Sequence, residues 1–216
     1  MEMIPDPADR TRAFEPLLDS LLATFGADRE PSPGVSGAGE HHRCEVKRFR
    51  LGQAADADAQ ATRSHADRLL HVAVHDQCRS GINQLIRPLV RVLGYRPVQE
   101  RLVRYLREGS EPEQIGATMA WYWAQPPLGY DSWEDARRGI PSKSSQAEQD
   151  SLNDLHRQFR TACLAAFLAR DSPDTRHALS IWLTLDPADY PGHLRADHTR
   201  ACEIIRADPD RYRRPS

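Results

Sequence analysis

Phe167-Leu168-Ala169-Arg170-Asp171-Ser172-Pro173-Asp174-Thr175-Arg176 is the stretch on which the fold turns. An apolar run ends in Arg170 and Asp171, and a Ser-Pro-acid triplet follows at once. Each residue of the triplet has its own reason to start a helix. Serine at an N-cap accepts from an otherwise unpaired N–H, proline suits the first turn, and a carboxylate meets the positive end of the dipole. The stretch therefore predicts two helices joined by a short turn. Upstream, Leu152, Leu155, Phe159, Cys163, Ala166 and Phe167 step by threes and fours, the mark of one apolar helical stripe. Downstream, Ala178, Ile181, Trp182 and Leu185 predict a second stripe.

The same grammar occurs at Tyr105-Leu106-Arg107-Glu108-Gly109-Ser110-Glu111-Pro112-Glu113 and at Ile205-Arg206-Ala207-Asp208-Pro209-Asp210. Pro112 and Pro173 stand 61 positions apart. Setting aside an insertion over residues 125–150 leaves roughly 35, the length of a helical-pair repeat. One such pair cannot bury its own apolar face, so neighbours must stack. Helical steps continue through Phe14, Leu17, Leu18, Leu21, Leu22 and Phe25, where Gly26 ends the pattern. They recur in Ala59, Thr62, Ala66, Leu69 and Ala73, then in Ile82, Leu85, Ile86, Leu89 and Leu93, with Pro88 predicting a kink or break near Ile86. Val98, Leu102, Val103, Tyr105 and Leu106 follow, then Ile115, Gly116, Met119, Ala120 and Trp123, and last Leu194, His198, Ala201, Cys202 and Ile205. Val46, Phe49 and Leu51 fit a short strand or a helix start equally. No alternation is long enough for a convincing strand, and the reading is all-α.

The turn segments resemble the HEAT-repeat family of α-solenoids. Asp171-Ser172-Pro173-Asp174-Thr175-Arg176 is similar to that family's turn followed by an arginine early in the second helix. Residues 97–124 resemble another pair, with Ile115 where the arginine is expected, and residues 56–93 a degenerate first pair. The resemblance implies a short α-solenoid of HEAT-like antiparallel helix pairs, with an N-terminal helix and one long inserted loop. It divides the chain into an N-terminal helix over 1–26, a linker or mobile arm over 27–55, and a helical repeat domain over 56–216. Pro126, Pro127, Gly129, Gly139 and Pro141 mark the insertion 125–150 as a loop.

Charge bounds the partners. Lys+Arg number 29 against 31 Asp+Glu, a formal net charge of -2, which disfavours nucleic acid. Only Lys47 and Lys143 are lysines, a skew that fits a GC-rich bacterial genome. No apolar run approaches a membrane span, and the opening Met1-Glu2-Met3-Ile4-Pro5-Asp6 does not read as a signal peptide. Cys44, Cys78, Cys163 and Cys202 lack close pairing and read as reduced thiols of a cytoplasmic protein.

Three constellations carry possible chemistry. His71, His75 and Cys78 fall on one helix face, with His42 and Cys44 upstream, but no short-spaced ligand motif accompanies them. Neither a metal nor another cofactor is expected. Residues 79–108 hold seven arginines against Glu100 and Glu108. Arg87 and Arg91 share a helix face, either solvated or set to hold carboxylates or phosphate. Trp121, Tyr122 and Trp123 precede Tyr130 and Trp133 in the densest aromatic cluster. Trp123 lies on the predicted stripe and reads as core, whereas Trp121 lies off it. Trp121, Tyr130 and Trp133 either line a groove as interface anchors or are buried by an insertion that folds back. Asp131, Glu134 and Asp135 are the acids nearest this cluster.

HEAT-like proteins are mostly scaffolds, so the resemblance implies a non-enzymatic protein-binding module. The expected partner is another protein with an acidic segment, met by Arg87, Arg91, Trp121, Tyr130 and Trp133. The HEAT-like alkylpurine DNA glycosylases, all-helical and similar in size, imply the alternative of a nucleic-acid enzyme.

Overall fold

The structure, a computed structural model, describes residues 7–27, 39–76 and 78–212. Twelve α-helices and no strand occur among them. They group into two units, residues up to Gly94 with Tyr122–Ala124, and Tyr95–Trp121 with residues from Gln125 onward.

The first unit holds α1 (Pro7–Thr24), α2 (Glu40–Ala57), α3 (Ala59–Ser64), α4 (Ala66–His75) and α5 (Asn83–Leu93). Phe14, Leu18, Leu21 and Leu22 of α1 are buried. Gly26 closes the helix at φ 63, and the next N–H, of Ala27, donates to Leu22 O at 2.8 Å. That is the left-handed stop for which glycine has no side-chain penalty. Helix α2 packs against α1 and α5, and α5 also meets α3 and α4.

Helix α2 corrects the linker expected over residues 27–55. Cys44, Arg48, Leu51 and Ala55 are buried and step as one helical face. An arginine inside the stripe conceals it from hydropathy. Its charge is met by Asp76, whose Oδ2 lies 2.6 Å from Arg48 Nε, with both side chains buried. Asp76 Oδ1 also accepts from Arg48 and from the Cys78 N–H, each at 2.9 Å. Burial pushes the Asp76 carboxyl up, against the downward pull of Arg48. Gly81 gives the guanidinium its room, since a Cβ there meets it directly. The remainder of the expected linker, residues 28–38, lies outside the described residues.

Pro88 does not break α5, which runs from Asn83 to Leu93. It is buried, and having no N–H it leaves Gln84 O without its helical donor. Gly52 of α2 comes against that carbonyl, where a Cβ falls 2.7 Å from the oxygen. Gly94, at φ 85, ends the helix by donating to Val90 O at 2.8 Å.

The second unit holds α6 (Tyr95–Glu108), most of α7 (Glu111–Trp123), α8 (Trp133–Arg138), α9 (Lys143–Asp150), α10 (Asn153–Ala169), α11 (Pro173–Ser180) and α12 (Arg195–Ala207). Helix α10 packs against α6, α11 and α12. Its predicted stripe is buried from Leu152 to Phe167. The Ser110-Glu111-Pro112 and Ser172-Pro173 turns both lead into helices. Ser172 accepts from the Thr175 N–H ahead of Pro173, and Glu113 accepts from the Ser110 N–H and hydroxyl. The turns also touch. Arg170 donates to Gly109 O at 3.2 Å and to Gln114 Oε1 at 3.0 Å, and the Thr175 hydroxyl donates to Glu111 at 2.7 Å.

Other expectations need correction here. Helix α11 stops at Ser180, so Leu179 and Leu183 are buried while Ile181 and Leu185 are exposed and Trp182 is half-buried. Asp208-Pro209-Asp210 forms a turn and begins no helix within the described residues. The insertion contains α8 and α9 and is not a bare loop.

Candidate functional site

Gln114, Ala117, Thr118 and Trp121 form the inner face of α7. Of the predicted stripe, Gly116 and Ala120 are buried with this face, whereas Ile115, Met119 and Trp123 are half-buried beside it. Two buried polar residues disguise the true face, and both are satisfied. The Gln114 amide donates to Leu106 O at 2.9 Å, and the Thr118 hydroxyl donates to Ile115 O at 2.7 Å. Trp121, expected off the stripe, is therefore core at 3% exposure. It stacks on Phe159 at 4.0 Å between centroids, and Trp182 meets Phe159 edge-on at 5.2 Å. Trp121 leaves the set of candidate contact residues.

Tyr130 and Trp133 remain accessible, and Trp133 is 79% exposed. Leu128 and Ile140 of the same insertion are also exposed. Helix α8 has no buried residue. Its frame is nevertheless tied together. The Ser142 N–H donates to Gly129 O at 2.8 Å, and the Gly129 N–H donates to Ser145 Oγ at 3.0 Å. Gln149 donates to Pro126 O at 3.1 Å. Ser132 caps α8, and Gly139 ends it at φ 68. At the base, His156 Nε2 lies 2.9 Å from Gln125 Oε1, and the Gln125 amide donates to Trp121 O at 3.0 Å. Burial, then the nearby Arg160 charge, holds the His156 ring below the usual imidazole range. Asp135 accepts from the Ser132 hydroxyl at 2.6 Å, and Glu134 pairs with Arg138 at 2.7 Å.

Arg87 and Arg91 lie in the first unit, exposed on α5. Arg91 is engaged, 2.9 Å from Asp56. The Arg87 guanidinium carbon sits 5.9 Å from the centroid of Trp123. Trp123, expected in the core, is half-buried, and its indole N–H donates to Arg79 O at 2.8 Å. Tyr122 meets it edge-on at 5.1 Å and is 63% exposed. The sequence shows Tyr122 and Trp123 in its dense aromatic run and Arg79 in its arginine-rich stretch, but none of the three was expected as a contact residue. The run of aromatics was visible, but the Arg–Trp contact joins positions far apart in the chain.

His71 and His75 lie ring to ring at 4.4 Å, and His75 Nδ1 sits 2.8 Å from His71 O. Cys78 is 3.5 Å from Ser80 Oγ. Cys44, Cys163 and Cys202 are buried, and burial drives the Cys163 thiol far up. No helix among the described residues is long and apolar enough to cross a membrane. Comparisons with family models, curated proteins and solved structures find no match to this chain.

Proposed function

We propose that this chain is a non-enzymatic protein-binding module. Its second unit is read as a short HEAT-like solenoid whose insertion serves as a contact surface. The observation that carries the binding reading is the display of Leu128, Tyr130, Trp133 and Ile140 on a hydrogen-bonded frame. Four large apolar side chains facing water add little to folding. On an ordered frame they are suited to association, because little further chain ordering opposes binding. The repeat reading draws support from the contact between the Gly109–Glu111 and Arg170–Thr175 turns. Equivalent turns of successive helix pairs meet in this way when the pairs stack.

The test is affinity capture from extracts of the cells that encode the protein, followed by mass spectrometry. A Tyr130→Ser/Trp133→Ser double variant serves as the comparison. The expected result is a protein retained in near-stoichiometric amount by the parent chain and lost with the variant. Equal retention by both, or no such partner, overturns the proposal.

A further inference from the structure

The cluster of Arg79, Arg87, Tyr122 and Trp123 has a chemistry unlike that of the insertion. Arg87 lies over an indole face, which stabilises the cation and restricts its orientation. A cation–π contact engages the charge of the guanidinium and leaves it N–H donors for other partners. Those donors match the two oxygens of a carboxylate. Among the described residues, neither the Arg79 nor the Arg87 guanidinium has a carboxylate or hydrogen-bond partner. Arg91, one turn from Arg87, already has Asp56. Residues 78–94 contain these three arginines and no acid. The indole N–H of Trp123 donates to the backbone carbonyl of Arg79, so the exposed Arg79 leaves the chain at the edge of the ring whose face Arg87 covers. Tyr122 adds an exposed ring beside them.

We infer that this surface binds an acidic segment of a partner protein, with carboxylates on Arg79 and Arg87 and an apolar side chain against Tyr122. Charge decides between this occupant and nucleic acid. A polyphosphate strand needs several cations, and a chain of net charge -2 does not attract it at long range. A peptide bearing two or three carboxylates requires only the local pair of arginines, and the aromatic rings supply the apolar share of the contact. The inference is independent of the insertion, and its variants leave Tyr130 and Trp133 untouched.

The experiment titrates the full chain with three probes while following the Trp123 indole and Arg87 Nε signals by NMR. The probes are a twelve-residue peptide of alternating Glu with Leu and Phe, its Lys-for-Glu copy, and a twelve-nucleotide oligothymidylate. The acidic peptide is expected to give saturable shifts at both signals, and the basic copy none. Arg87→Glu is expected to weaken binding at least about tenfold, and Arg87→Lys less, because lysine keeps the charge but loses the planar fork. Circular dichroism checks that each variant folds, and Tyr122→Ser, at an exposed position, supplies a second variant expected to weaken binding. No saturable shift with the acidic peptide overturns the inference, as does acidic-peptide affinity unchanged by Arg87→Glu. Preferential, salt-steep binding of oligothymidylate also overturns it, in favour of nucleic acid.

Discussion

Gly52 and Pro88 solve one problem together. Proline removes a donor from α5, and glycine lets α2 approach the carbonyl left behind. A methyl group at Gly52 falls 2.7 Å from Gln84 O, which is backbone and cannot swing aside. Gly52→Ala is therefore expected to destabilise the first unit by about 1–3 kcal/mol, the usual range for overpacking. Gly192, where a Cβ meets nothing within 4 Å, is the control, and Gly192→Ala is expected to stay within about 0.5 kcal/mol. Urea titration of both variants decides the matter, and equal midpoints refute the steric account. Arg48 and Gln114 show where residue-scale reading stops. Both stand at inward positions, and the partners that make them tolerable, Asp76 for one and Leu106 O for the other, lie outside their own stripes. Hydropathy registers a polar interruption where the fold has a partnered one. The buried leucines of α1, α5 and α6 were legible because no such partner was needed.

Helices long enough to repeat their apolar step were readable, and short ones were not. Helix α10 shows its stripe over several turns. Helix α8, by contrast, spans only Trp133–Arg138, has no buried residue, and owes its ends to Ser132 and Gly139. Capping residues sit in the sequence of the insertion, but Pro126, Pro127 and Pro141 surround them and read as loop. Tyr130 and Trp133 could still be singled out, because aromatics without a helical partner are conspicuous. Leu128 and Ile140, single aliphatics among turn residues, gave no such signal. The two tryptophans of α7 diverge for a related reason. Residues two apart on a helix point in different directions, so Trp121 faces Phe159 while Trp123 meets Arg87. Trp121→Ala is expected to destabilise the second unit by about 3–5 kcal/mol, as for other large buried aromatics. Trp133→Ala is expected to change stability by less than about 0.5 kcal/mol. Thermal and urea unfolding of the two variants measures the contrast. Similar losses from both place Trp133 in a packed environment and remove the basis for the insertion as a contact surface.

Across the whole chain, near-neutral charge conceals uneven local electrostatics, and pH exposes them. In the first unit Glu15 accepts from Arg43 at 3.2 Å and from Lys47 at 2.8 Å, and these bonds hold its carboxyl below the ordinary 4.5. In the second unit burial, then Arg160, holds His156 below the ordinary 6.5, against the weaker pull of Asp154. Both groups are depressed in the folded state, so the unfolded chain binds protons first as pH falls. Their contributions are complete above the ordinary values and are lost as pH drops through the depressed ones. Asp76 runs the other way. Burial raises it, so its contribution grows as pH falls through its raised value toward 3.8 and offsets part of the acid loss from Glu15. The melting temperature is therefore expected to be level from about pH 8 to 7 as far as these groups act. It then declines first below 6.5 and again below 4.5, the ordinary values of His156 and Glu15. His156→Gln, which keeps a donor for Gln125, is expected to remove most of the first decline, and Glu15→Gln to reduce the second. Calorimetry at half-unit pH steps follows both. A first decline that survives unchanged in His156→Gln assigns it to another group, and a stability that rises on acidification through this range reverses the sign argued for the imidazole.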